Sequence, residues 1–271
     1  MAQASIGSSL YNAFTLTVTK RFSQHFELSS GWTWSHVIDD STDLTTLLAR
    51  QDNNNPAGER GNSTFDQRHR WITSAVYMSP AQESASGFWG KFFANFTVAP
   101  VFEMSSGRPY NILLGYDTNL DFGSSTGRRS FVKVDGAAAP VGSTFSKYIP
   151  GYAFTIPNNC VSSKEQSFGP YPFVAVPPYG CVGTLKRNPF ARPGYVDVDL
   201  RIAKTIPIHE QGTLQIIADA FNLMNRFNVS DVNPVCDPTA GLSSVVNSCA
   251  AGQPTAAYDP CTFQFALKVN F

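Results

Sequence analysis

Nothing in the chain approaches the run of about 18 apolar residues that a membrane helix needs. Ser, Thr, Asn and Gly interrupt every candidate, so helical membrane spans are excluded. Charge is also scarce. Asp, Glu, Lys and Arg make up 15% of the 271 residues, against about 25% in ordinary soluble domains. The 20 Lys and Arg balance the 20 Asp and Glu, which removes any electrostatic case for nucleic acid or an anionic surface. Met1 to Leu10 has no basic region followed by an apolar stretch and a small-residue cleavage site, so an exported protein would take its leader from sequence upstream.

Catalytic and metal signatures are missing as well. His25, His36, His69 and His209 are scattered, with no H-E-x-x-H or H-x-x-H arrangement. No G-x-S-x-G elbow occurs, and no Gly-rich run follows a strand and opens a helix. An enzyme is not expected, and no cofactor is implied. The five cysteines, Cys160, Cys181, Cys236, Cys249 and Cys261, include no C-x2-C pair for zinc. They sit among Pro, Asn and Gly. Cys160 with Cys181 and Cys236 with Cys249 are candidate disulfides of an oxidising compartment, with reduced or buried thiols as the plainer alternative.

What the chain does have is rings and alternation. Aromatics reach 13%, with Phe 21, Tyr 10 and Trp 4. The last nine residues, Phe263 to Phe271, alternate without error: Phe263, Phe265, Leu267, Val269 and Phe271 share one face of a strand, and Gln264, Ala266, Lys268 and Asn270 share the other. One face suits lipid and the other water.

Seven segments carry this period over the nine to twelve residues that a tilted membrane strand needs. The first is Tyr11 to Arg21, with Phe14, Leu16 and Val18 opposite Thr15, Thr17 and Thr19. The second is Phe26 to Ser35. The third is Arg68 to Met78. The fourth is Phe92 to Ser105, with Phe92, Phe96, Val98, Phe102 and Met104 in phase. The fifth is Tyr195 to Ile206, with Val196, Val198, Leu200 and Ile202 opposite Asp197, Asp199, Arg201 and Ala203. The sixth is Thr213 to Asn222, and the terminal strand is the seventh. Between the fourth and fifth, Gly107 to Pro193 reads as a long irregular loop, with a hairpin near Ser130 to Val134 as its one suggestion of order.

The connections alternate in length. Short turns around Ser23, Gly87 and Glu210 alternate with long polar loops, which is the asymmetry of outer-membrane barrels with periplasmic turns and extracellular loops. Soluble sandwiches have no reason to alternate so strictly. The expected fold is therefore all-β, an antiparallel transmembrane β-barrel in the cell outer membrane. Seven strands cannot close it, because the usual minimum is about eight and an open edge in lipid leaves unpaired amides.

Specific motifs go further. Tyr11-Asn12-Ala13-Phe14-Thr15-Leu16, Trp32-Thr33-Trp34-Ser35 with Ile38-Asp39-Asp40-Ser41, and Phe65-Asp66-Gln67-Arg68-His69-Arg70 come in order. Ser106-Gly107-Arg108-Pro109-Tyr110, Arg192-Pro193-Gly194-Tyr195-Val196-Asp197-Val198-Asp199-Leu200, Asp219-Ala220-Phe221-Asn222-Leu223-Met224-Asn225 and the terminal strand follow. Together they resemble the barrel of Oar-like TonB-dependent receptors across most of the chain. The resemblance implies that residues 1–271 are the carboxyl-terminal part of a barrel of about 22 strands, which takes up a ligand when TonB pulls on an amino-terminal plug. Against the family pattern, the plug, the TonB-contacting segment, the carboxypeptidase-regulatory-like domain and the signal peptide are absent from this sequence. The implied partners are the lipid bilayer, the plug and remaining strands, the TonB complex through that plug, and the barrel-assembly machinery, for which the terminal face ending at Phe271 would be the signal. The competing reading is a secreted or surface β-sandwich that binds a ligand without transport.

Three residue sets remain. Asp117, Asn119 and Asp121 place oxygen ligands at alternate positions, as calcium loops do, but position 122 is Phe where the turn glycine belongs, which favours an Asx-rich turn. Lys20, Arg21, Glu103, Asp197, Asp199, Arg201, Asp219 and Lys268 are expected on the interior face, where water or a plug can satisfy them. Phe22, Trp32, Trp34, Trp71, Tyr77, Trp89 and Phe271 fall near strand ends, as interfacial rings do.

Overall fold

The computed structural model describes residues 7–40, 56–81, 87–112, 135–138, 144–145, 148–149, 152–155, 185–209, 212–235 and 250–271. Seven long strands form one antiparallel sheet: β1 (Ser9–Ser23), β2 (Phe26–Asp39), β3 (His69–Met78), β4 (Phe96–Ser105), β5 (Tyr195–His209), β6 (Gly212–Phe221) and β7 (Thr262–Asn270). Each pairs with its neighbour in sequence, and the sheet is open, with β1 and β7 as its edges. The short strand Gly61–Asn62 extends β2 at its outer end. Among the described residues every extensive contact between elements is between hydrogen-bonded strands, so no second sheet is layered on either face.

Pairing makes the alternation two-sided across the whole sheet, because directly opposed residues share a face. Phe14 opposes Trp34, and Leu16 opposes Trp32, which in turn opposes Trp71. Trp71 opposes Met104, which opposes Val196. Ile202 opposes Ala218, which opposes Phe265. One face is thus continuously apolar from β1 to β7. The other carries Thr15, Thr17, Thr33, Arg70, Glu103, Asp197, Asp199, Arg201, Gln215, Asp219 and Lys268 on the same registers. On β5, Val196 to Ile206 is ten steps of about 3.4 Å. At a tilt of about 40° that projects to roughly 26 Å, close to the ~25 Å apolar band of such barrels.

Polar groups on the apolar face find partners within it. Trp71 Nε1 donates to Ser30 Oγ at 2.9 Å, and Ser30 Oγ meets Thr73 Oγ1 at 2.8 Å. Lys20 lies on this face, opposite Leu28, and not on the interior face. It is in phase with Phe14, Leu16 and Val18. Its ammonium turns back to donate to the carbonyls of Ser23 and Phe26, each at 2.9 Å.

The connections correct the sequence reading in detail. β1 and β2 join through Gln24 and His25, both with positive φ, 52° and 66°, a two-residue turn whose twist matches the strands. β2 runs four residues past Ser35, because Val37 and Asp39 still pair with β1. The fourth strand starts at Phe96, and Phe92 belongs instead to a helix, α1 (Gly87–Phe93). The β3–β4 ladder skips Ala75 and Val76 opposite Pro100 and Ala99, where Pro100 has no N–H to give. Two residues separate β5 from β6. Short connections thus share one end, which is the periplasmic end by the rule for these barrels, and long ones share the other.

At that outer end the region from Gly107 to Pro193 is not structureless. Pro109–Tyr110 pairs with Phe190–Ala191, and Asp135–Ala138, Thr144–Phe145 and Tyr152–Thr155 form a small sheet. The expected hairpin at Ser130 to Val134 lies outside the described residues. Tyr110, Ile112, Ile149, Val232 and Ala251 make a small buried core in this outer cap. The large sheet has no such core, because one face meets lipid and the other the interior.

Candidate functional site: the outer mouth of the sheet

Seen from the strand ends, the long loops return to the sheet through polar staples. Asp66 is 1% exposed. Its Oδ1 accepts from the Val37 N–H at 2.7 Å, and its Oδ2 accepts from Arg68 Nε at 2.7 Å. The same carboxylate lies 3.3 Å from His36 Nδ1. Asp39 and Arg187 form a buried ion pair at 2.8 Å. Asn188 Nδ2 donates to the Asn62 carbonyl at 2.7 Å, and its backbone N–H donates to Asn111 Oδ1. Ions this far from water are kept only because each is paired and hydrogen-bonded.

Asparagines organise the opposite side of the mouth. Asn222 and Asn225 hold φ of 47° and 46°, a conformation that Asn tolerates better than most residues. Asn222 Oδ1 accepts from the Arg226 N–H, while its Nδ2 donates to the Arg226 and Asp259 carbonyls. Asn228 imitates a strand. Its Nδ2 donates to the Val196 carbonyl at 2.8 Å, and its Oδ1 accepts from the Val196 N–H at 3.1 Å.

Two clefts open between these staples. One, of about 380 Å³, is lined by Arg70, Glu103, Arg108, Arg192, Tyr195 and Tyr258, among others. The other, of about 320 Å³, shares Arg108 and Arg192 with it and adds Phe65, Tyr110 and Asn188. Arg192 is held by Asp231 at 3.0 Å. Tyr195 and Tyr258 meet edge to face, ring centres 4.9 Å apart. Tyr110 is buried, which pushes its phenol pKa up, with the nearby Arg192 charge opposing. Below, on the interior face, Glu103 lies 3.2 Å from Arg70 and directly opposite Asp197. Such a mouth offers guanidinium donors, carboxylates and ring faces, which suits non-covalent capture of a polar ligand.

An open antiparallel meander with one lipid face, one polar face and loops gathered at one end is the wall of an outer-membrane barrel. The family model described as outer membrane beta barrel domain matches residues 2–264. The chain belongs to this family. No curated protein matches, and no solved structure matches. The cell outer membrane is therefore where this barrel domain resides, and its sheet is a partial barrel.

The residues expected to matter fall in different places. Phe263, Phe265, Leu267 and Val269 line the apolar face of β7, exposed at the sheet edge, and Phe271 follows β7 fully exposed. Asp117, Asn119 and Asp121 lie outside the described residues, as do Cys160, Cys181, Cys236 and Cys249. Cys261 is a free thiol at the start of β7. Among the described residues no group of three His, Cys, Asp or Glu could hold a metal ion. Glu103, Asp197, Asp199, Arg201, Asp219 and Lys268 share the interior face as expected, while Arg21 falls in the register shift between Lys20 and Ser23. Sequence reasoning missed Arg187 and Asn188, whose partners Asp39 and Asn62 lie more than a hundred positions away, and it quoted Arg192 within a family motif without its partner Asp231. It quoted Asp66, Arg68, Asn222 and Asn225 as family motifs without seeing their work: they are the staples of the mouth.

Proposed function

We propose that this barrel domain is the wall and outer-loop portion of a TonB-dependent receptor of about 22 strands, which captures a ligand at its mouth and admits it past a plug. One observation carries the reading. β1 and β7 end the sheet unpaired with each other, and an unpaired strand edge in hydrocarbon costs several kcal/mol per amide, so closure requires further strands. The interior face supports it too, for Ile72 opposite Glu103, Val76 opposite Glu27, Val101 opposite Asp199 and Ile217 opposite Ala203 interrupt its polar residues. Apolar patches there suit a packed plug better than an open water channel. The clefts around Arg108 and Arg192 would receive the ligand, and the side chains would bind it without transforming it.

The test uses the protein expressed from its own gene in an outer membrane. Crosslinking to the periplasmic domain of TonB, together with an in-frame plug upstream of Met1, is the expected result. A protein whose gene encodes neither plug nor TonB-contacting segment, and which yields no such crosslink, would end the transport reading while leaving the barrel in place.

A further inference from the structure

The connection between β3 and β4 holds the most concentrated exposed aromatic surface in the described protein. In α1, Phe88, Trp89, Phe92 and Phe93 are exposed by 75%, 67%, 53% and 57%. Their spacing, i, i+1, i+4 and i+5, puts all four on one arc of the helix, with Gly87 and Gly90 on the other. The rings pack on one another, Phe92 edge to face against Phe93 at 5.1 Å and Trp89 nearly parallel to Phe93 at 6.2 Å. They pack against each other and not into a core.

Two contacts fix which side of the wall this surface joins. Phe93 meets Phe96, ring centres 6.3 Å apart, and Phe96 is the first residue of β4 on the apolar face, opposite Lys204. Lys204, also on that face, donates from Nζ to the Phe92 carbonyl at 2.7 Å and to the Ala94 carbonyl, and its ammonium lies 4.5 Å from the Phe96 ring centre. A lysine at a helix carboxyl end satisfies carbonyls that the helix leaves open. The Thr205 N–H donates to the Asn95 carbonyl at 3.0 Å, which ties the same corner to β5. β5 then continues to Ile206, exposed by 38% on the apolar face opposite Leu214, and to Ile208, exposed by 58%. The aromatic arc is therefore an extension of the lipid-facing surface at the end where the short connections gather.

From this continuity we infer that α1 is a membrane-interface helix. Its Phe88, Trp89, Phe92 and Phe93 rings seat in the phospholipid of the periplasmic leaflet, and Lys204 clamps its carboxyl end to the barrel wall. A short helix with one aromatic arc lies in the headgroup and upper acyl region without spanning, and rings of Trp and Phe concentrate at that depth. Lys204 is a positioning residue: its charge is spent on helix carbonyls, which is how a lysine is accommodated among Phe96, Ile202 and Ile216. The inference rests on the outer-membrane location and is independent of the transport reading.

The experiment places the photo-crosslinker p-benzoylphenylalanine at Trp89 in the full-length protein in its native outer membrane. Trp71 on the apolar face and Thr17 on the interior face serve as reference positions. A phospholipid adduct at position 89, a lipid adduct at 71 and none at 17 are expected. Adducts at 89 to a second copy or to another protein, or no adduct there while position 71 yields lipid, would overturn it. Lys204→Met gives the second readout. The lipid adduct at 89 should fall about fivefold, in keeping with loss of the hydrogen bonds that hold the helix, while position 71 is unaffected. An unchanged yield at 89 would remove Lys204 from the role of clamp.

Discussion

Arg201 and Asp219 face each other directly across β5 and β6 as a two-pronged pair, Nε to Oδ1 at 2.7 Å and Nη2 to Oδ2 at 2.9 Å. A guanidinium matched to a carboxylate in this way is the strongest form of side-chain ion pair. The Arg201 side chain is 58% exposed and that of Asp219 10%, so solvent screens part of it. Asp219→Asn should cost about 0.5–1 kcal/mol, read as a lower denaturant midpoint of the full-length barrel in detergent. A double-mutant cycle with Arg201→Ala that finds no coupling would show the pair to be idle.

Asp39 and Arg187 are a different kind of pair. Their side chains are 6% and 9% exposed, and the contact joins β2 to the segment that re-enters the sheet before β5. Arg187→Met removes the buried ion pair from the Asp39 carboxylate, which is expected to cost about 3–5 kcal/mol locally. Hydrogen exchange at Gly61, Asn62 and Asn188 should quicken, with the strands unchanged. Arg187→Lys should restore only part of the protection, since a lysine cannot reproduce the fork. Equal protection in Arg187→Met and wild type would refute this.

How much of this was legible beforehand depends on the range of the signal. Period-two alternation is local, and it placed all seven strands to within a few residues, because side-chain direction follows from one residue to the next. It failed where a neighbour decides the ending: β2 continues because β1 offers partners, and Phe92 leaves the strand because α1 turns at Asn95, whose φ is 58°. It also failed at Lys20, expected inside with Arg21 but opposite Leu28 on the apolar face, where the β1–β2 register is about to shift. The mouth was least legible. Asp66, Asn222 and Asn228 act through backbone groups tens of residues away, and pairs such as Asn188 with Asn62 leave no trace in spacing.

Gly107 is fixed by crowding. A Cβ there would stand 1.7 Å from the Arg192 carbonyl oxygen and 2.8 Å from that of Pro193. Gly107→Ala must push the two segments apart, at a cost of about 2–3 kcal/mol, and should loosen the pairing of Pro109–Tyr110 with Phe190–Ala191. Gly31→Ala is the comparison, since its nearest neighbour is Thr17 Oγ1 at 4.0 Å. Thermal melts of the two variants in detergent should separate clearly. Equal midpoints would contradict the steric argument.

The Tyr110 phenol gives the outer cap a pH dependence. Burial disfavours its anion and raises its pKa, while Arg192 pulls less strongly the other way. The unfolded phenol titrates near about 10, so the folded state prefers the protonated form. The contribution to stability is full below that pH and is lost as pH climbs through the folded value. An ultraviolet difference titration against Tyr110→Phe should show this phenol ionising above the ordinary tyrosine range. Ionisation below it would mean that Arg192 dominates.

β7 is paired on one side only, with β6, and its outward residues are bare: Phe265 is 77% exposed, Leu267 71% and Phe271 102%. In a closed barrel lipid covers that face, but before insertion it is an unpaired edge with a row of rings. Such a strand is either a hazard or a handle. If the assembly machinery reads it, the rings matter more than the residues between them. Phe271→Ala in the full-length protein should then reduce the heat-modifiable, folded fraction several-fold, while Lys268→Ser, one residue from Val269 but on the interior face, should leave it near wild type. Comparable losses in both variants would mean that strand stability, and not a read signal, limits assembly. A wild-type folded fraction in Phe271→Ala would remove the terminal ring from the process altogether.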